Sequence, residues 1–190
     1  MHTPAHLILG AALFSRSNKK GTFWAALLGG LLPDLSLYVL AGSALFIFQI
    51  SPNIVFGELY FSRPWQQVFA IDNSIFLWGA LLITATWKRN QWWIAFTASA
   101  LLHLACDFLL HHDDGRAHFW PLTHWVYQSP VSYWDLNHFA HFVIPLEILA
   151  CAFGVFYLWQ RYKNWTYRTI ICALSIIQIL PLIFLITHMR

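Results

Sequence analysis

Apolar runs at residues 5–14, 22–50, 68–87, 92–110, 138–160 and 169–187 alternate with short polar or basic stretches along the chain. At 1.5 Å per helical residue, each of the last five is long enough to cross a hydrocarbon core of roughly 30 Å, whereas the first, about 15 Å long, is not. The pattern predicts an all-α fold, a polytopic transmembrane helix bundle of five full spans plus a short N-terminal helix, forming a single integral membrane domain over residues 1–190. Within the second run stand Gly29, Gly30, Pro33 and Asp34. Proline removes a backbone donor and glycine weakens a helix, so a kinked or broken span is expected there. The stretches 51–67 and 111–137 read as loops, and the third run contains a polar triplet, Asp72-Asn73-Ser74.

Composition agrees with the pattern: 58% of the 190 residues are hydrophobic, 18% aromatic and only 10% charged, outside the range of soluble domains. The formal net charge of +3 does not point to nucleic acid, because the Lys and Arg residues sit in short clusters between apolar runs. Those clusters carry topology instead. Arg16/Lys19/Lys20, Lys88/Arg89 and Arg161/Lys163/Arg168 are placed so that the alternation of spans brings all three to one side, which the positive-inside rule makes cytoplasmic. Loops 16–20, 88–91 and 161–168 are therefore expected in the cytoplasm of a multi-pass inner-membrane protein, with 51–67 and 111–137 on the opposite face. The basic cluster follows the first apolar run instead of preceding it, unlike a signal peptide, so Met1 onward is expected to be retained. Cys106, Cys151 and Cys172 lie inside apolar runs with no CxxC spacing, which argues for packing cysteines and against disulfides or a thiolate zinc site.

An ionisable group at membrane depth costs several kcal/mol unless it is paired, hydrated or metal-bound. Counted from the cytoplasmic ends of their helices, His6, Asp34, Asp72, His103, Asp107 and Glu147 all fall in one layer about 15 to 22 Å deep. His103 and Asp107, at i, i+4, share one helix face. Imidazole with carboxylate suits zinc, and manganese or iron where oxygen ligands predominate. His6, Asp34, Asp72, His103 and Asp107 are thus candidate metal ligands, and Asp72 and Glu147 candidate catalytic bases. The plainer reading of His103 and Asp107 is a buried pair in which the carboxylate fixes the imidazole tautomer and no metal is present. Glu147, two residues after Pro145, is also placed to satisfy a helix kink.

The loop 111–137 adds a second set of residues. Trp120, Trp125, Tyr127, Tyr133 and Trp134 are the amphipathic aromatics of a membrane interface. Arg116 is a fixed cation near the layer, suited to an anionic head group or phosphate. His111, His112, His138 and His141 fall at the outer surface, where entrance or interface roles are expected.

Taken together, "MHTPAHLILGAALF" at the start, "LLPD" at 31–34, "NS" at 73–74, "HLACD" at 103–107 and "FWPL" at 119–122 resemble the YdjM-like family of membrane-bound, metal-dependent hydrolases over most of residues 1–135. The resemblance implies a metal-dependent hydrolase and, carried over residue by residue, points to His6, Asp34, Ser74, His103 and Asp107, followed by Trp120 and Pro121. Asp72 stands where that family often has a histidine before the serine. Ser74, Arg116 and Trp120 are the candidate substrate contacts.

The favoured function is hydrolysis of a lipid-like or other amphipathic ester or phosphoester, with a divalent metal ion, zinc foremost, in the outer half of the bilayer. The HExxH of intramembrane metalloproteases and the GxSxG of serine hydrolases are both missing. The competing class keeps the residues without catalysis: an ion-binding or transport protein, or a haem protein with His6 and His103 as axial ligands. A structural bundle of satisfied polar pairs is the third reading.

Overall fold

A computed structural model describes the backbone of residues 1–188 and the side chains of residues 1–180. Its elements in chain order are α1 (Thr3–Phe14), α2 (Thr22–Gly42, prolonged by a π-helical turn over Ser43–Ile47), the short α3 (Pro52–Ile54, followed by a second such turn over Val55–Leu59), α4 (Arg63–Asp72), α5 (Ile75–Trp87), α6 (Gln91–Leu110), α7 (Ala140–Arg161) and α8 (Trp165–His188). Among the described residues there is no strand. Four stretches are long and apolar enough to cross a membrane: Thr22–Ile47, Arg63–Trp87, Gln91–Leu110 and Ala140–Arg161. The fifth expected span, 169–187, falls on α8, whose side chains beyond Leu180 lie outside the described residues. Apolar side chains such as Phe46, Ile83, Phe153 and Phe156 stand exposed along these helices, as in a bundle that faces lipid.

The short helix α1 lies at the centre, packed on α2, α6, α7 and α8. Small residues let these helices approach. A Cβ on Gly29 would lie 1.9 Å from the Phe96 carbonyl oxygen, and one on Gly10 would lie 2.0 Å from Ser99 Oγ, so α2 and α1 each rest almost on α6. Ser99 Oγ in turn donates to the Ala26 carbonyl at 2.7 Å, tying α6 to α2 with a buried hydrogen bond. This close seam sets the depth at which the polar groups of α1, α2 and α6 meet.

Two expectations from sequence are corrected. Of the kinked or broken span expected at Gly29–Asp34, the break is not found: α2 continues as helix from Thr22 to Gly42, with Pro33 inside it. The break comes in the third run, where α4 ends at Asp72 and α5 starts at Ile75. Asn73 Nδ2 donates to the carbonyls of Pro33 (3.2 Å) and Phe69 (3.0 Å), while Ser74 caps α5 by accepting from Leu77 N at 3.2 Å. Backbone freed inside a membrane helix needs such partners. Part of the expected loop 51–67 is also helical, through α3 and the start of α4.

The basic loops gather at one end of the bundle. Arg161 donates to the carbonyls of Ala12 (3.2 Å) and Ser15, Phe23 packs edge-on against Tyr162 and Tyr167, and Trp92 sits against Gly21. Residues 15–23, 91–93 and 161–168 are therefore neighbours. The long connection 111–137 covers the opposite end.

Candidate metal centre

Three helices bring the polar residues together. His6 comes from α1, Asp34 from α2, and His103 and Asp107 from successive turns of α6. Asp107 is the hub. His6 Nε2 lies 2.9 Å from its Oδ1, His103 Nε2 3.0 Å from its Oδ2, and His111 Nε2 3.2 Å from its Oδ1. The Met1 nitrogen also approaches Oδ1, at 3.2 Å. Asp34 Oδ1 stands 3.6 Å from His103 Nε2, and its Oδ2 accepts a hydrogen bond from Thr3 Oγ1. Side chains of His6, His103 and Asp107 are 5% exposed or less, so whatever compensates them must come from within the protein.

The tautomer of His103 follows from its contact on the side away from Asp107. His103 Nδ1 lies 2.7 Å from the Gly30 carbonyl, an acceptor only, so that nitrogen carries the proton. In the neutral ring Nε2 then holds a lone pair facing a carboxylate oxygen. Although their nitrogens are close to Asp107, neither His103 Nε2 nor either ring nitrogen of His6 has a hydrogen bond of acceptable direction. One donor atom each from His6, His103 and Asp107 lies within 4.8 Å of the other two, so the group can hold a metal ion. Ligand bonds of 2.0–2.2 Å in tetrahedral array separate donors by roughly 3.4 Å. The Gly30 contact supplies the outer hydrogen bond that metal-ligating histidines usually make.

A cavity of about 510 Å³ opens beside the group. Asp34, Asp107 and His111 reach it from the polar cluster, Arg116, Tyr133 and Trp134 from the long loop, and the apolar Leu37, Phe56 and Phe61 complete its lining. Asp114 is held by His111 Nδ1 at 2.9 Å and by Trp134 Nε1 at 3.2 Å. Burial alone would raise its pKa, but the His111 hydrogen bond and charge, with the Trp134 donor, keep this carboxyl below the usual carboxylate range.

Other residues expected from sequence are placed elsewhere. Asp72 ends α4 at the helix break, outside the three-residue group, and its carbonyl accepts from Trp78 Nε1 at 2.7 Å. Glu147 is buried on α7 but engaged by His2 Nδ1 at 2.9 Å and Gln178 Nε2 at 2.7 Å. Ser74 caps α5 and donates to the Trp120 carbonyl at 2.5 Å. Neither Ser74 nor Trp120 is among the residues lining the cavity. The "NS" and "FWPL" elements thus meet as one structural joint. His138 pairs with Asp135 at 2.5 Å and stacks on His112, and His141 is exposed on α7. Cys106, Cys151 and Cys172 are free, and Cys172 is exposed on α8 instead of packed. His111, expected in the outer loop, belongs to the cluster as the C-cap of α6. Its i, i+4 spacing from Asp107 repeats that of His103 and was a usable signal. His2, Thr3 and Tyr133 carried no comparable signal.

The joint makes one pH-dependent prediction. His118 Nδ1 lies 3.1 Å from the Asn73 carbonyl, and Ile75 N donates to the His118 carbonyl at 2.9 Å. Burial pushes the His118 pKa below its ordinary value of 6.5, with the Asn73 contact acting in the other direction. The unfolded chain then binds this proton more readily than the folded one, so the contribution is intact above pH 6.5 and is lost as pH falls toward the depressed folded value. His118→Asn, which retains an N–H for Asn73, is expected to show a shallower fall of melting temperature between pH 7.5 and 5.5 than the wild type, in parallel detergent melts. An unchanged slope would remove His118 from the account.

Comparison with family models, with curated proteins and with solved structures finds no match. Fold and site on their own describe an α-helical membrane protein with a buried His/Asp group that can hold a metal ion.

Proposed function

We propose that this protein is a membrane-bound, metal-dependent hydrolase of an amphipathic ester or phosphoester, of the kind the YdjM-like resemblance implies. The observation that carries the reading is the convergence of His6 and His103 nitrogens on Asp107, which lines a cavity that exposed apolar side chains also line. Two imidazoles and a carboxylate, buried, favour zinc over magnesium or calcium. Such an ion supplies Lewis-acid polarisation of a carbonyl or phosphoryl oxygen and acidifies water.

The chain's own residues do the rest. His6, His103 and Asp107 hold the ion, and the Gly30 carbonyl fixes the His103 tautomer that leaves Nε2 free to do so. Asp34 is assigned as general base. It faces the cavity, lies outside the three-residue group, and is oriented by Thr3, whose hydroxyl contacts Tyr38 at 2.7 Å. That role passes from Asp72 and Glu147, neither of which lines the cavity. Water adds across the ester bond: its oxygen goes to carbon or phosphorus, one proton to Asp34, and a proton returns to the departing alcohol oxygen. With the basic loops read as cytoplasmic by the positive-inside rule, their position at the far end of the bundle supports an outer-leaflet site for the cavity.

The haem alternative is not favoured by the rings themselves. His6 and His103 stack face to face with centroids 3.7 Å apart and planes at 14°, leaving no porphyrin-thick gap between them. The functional test is hydrolysis of short-chain lipid esters and phosphoesters by detergent-purified protein. Turnover that is abolished by a chelator and restored by zinc is expected. Chelator-resistant turnover would overturn the metal-dependent reading.

A further inference from the structure

Arg116 is the residue that the mechanism leaves without work. Its side chain is buried, the residue being 5% exposed, yet it lines the 510 Å³ cavity. The guanidinium lies over the rings of Phe69 (4.2 Å) and Tyr60 (4.9 Å), which fix its plane without neutralising it. Its Nη1 has no hydrogen-bond partner, and among the described residues no carboxylate lies within ion-pair distance of it. A buried unpaired cation is costly, and proteins keep one where a ligand completes it.

The acidic residues around the cavity do not supply that partner. Asp107 is surrounded by nitrogens, Asp34 is engaged by Thr3 and His103, and Asp114 by His111 and Trp134. Asp113 also lines the cavity but is exposed to solvent, and neither it nor Asp72 at the end of α4 lies within ion-pair distance of Arg116. The cavity thus has carboxylates in its lining, none within ion-pair distance of Arg116, which remains an uncommitted planar donor. A guanidinium matches the fork of phosphate oxygens. Phe56 and Phe61, 49% and 56% exposed, line the same cavity and give it an apolar margin open to the surroundings.

We infer that the cavity takes a phosphate-bearing lipid, its phosphate on Arg116 and its apolar chains leaving past Phe56 and Phe61. This rests on the hydrolase reading for the chemistry, but the binding step stands on Arg116 alone and is tested without turnover. Zinc-loaded protein in neutral detergent is titrated with dihexanoyl phosphatidic acid, with dihexanoylglycerol and with inorganic phosphate, and affinities are measured by calorimetry. Arg116→Gln and Arg116→Lys are measured in parallel, with metal content and gel-filtration profile as controls for folding. The phosphatidic acid is expected to bind tightest. Its affinity should drop roughly 10- to 100-fold in Arg116→Gln and less in Arg116→Lys, which keeps charge but not the fork. Equal binding of the neutral diacylglycerol, or undiminished binding by a folded Arg116→Gln, would overturn the inference. Inorganic phosphate binding as tightly as the lipid would overturn the lipid part. A protein that takes up no metal yet shows the Arg116-dependent preference would sink the hydrolase reading and leave this one standing.

Discussion

Asp107→Ala is expected to abolish metal binding and to cost the bundle stability. This one carboxylate is approached by nitrogens of His6, His103 and His111 and by the Met1 ammonium, and its removal takes away the partner they share. Removing one member of a buried charge set costs roughly 3–5 kcal/mol. The distinguishing readout is linkage. Wild-type protein stripped with chelator and reloaded should gain about 2.7 kcal/mol when metal reaches 100 times its Kd, visible as a higher melting temperature. The variant should gain none. A metal-induced rise equal to that of the wild type would show that the ion, if any, sits elsewhere.

Asp34→Asn is the complementary case. It keeps the size of the side chain and an acceptor for Thr3, but removes the base. Turnover is expected to fall about 10²- to 10⁴-fold, the range for losing a positioned general base, while metal content stays at the wild-type level. The two readouts must separate. If metal is lost along with turnover, Asp34 is a fourth ligand, as the sequence layer alone had allowed, and the base must be sought in another cavity residue.

Depth was readable from sequence because a helix rises a fixed 1.5 Å per residue, so counting from the basic ends put His6, Asp34, His103 and Asp107 at one level. Those four do come together. Azimuth was not readable. Glu147 sits at similar depth, but α7 turns it toward His2 and Gln178, and Asp72 lies where the third run breaks. A hydropathy pattern does not show that break, since the hydrogen bonds that pay for it come from Asn73 and from residues 118–120, far along the chain. Short motifs have the same blind spot. "NS" and "FWPL" looked like substrate contacts, but order along a chain does not tell a cap from a ligand. The small-residue seam at Gly10, Gly29 and Ser99 was likewise written in the sequence as Gly29 and Gly30, where it read as a kink. Its role is close approach, and only the neighbouring helix reveals that.

The arrangement of His6, His103 and Asp107 as a ligand set is best tested by elemental analysis of protein purified in detergent, both as isolated and after zinc reloading and gel filtration. About one transition-metal ion per chain, absent from Asp107→Ala and present in Asp34→Asn, is the result this structure predicts. Metal-free wild-type protein after reloading, with the fold intact by circular dichroism, would contradict it and leave the group a buried polar cluster.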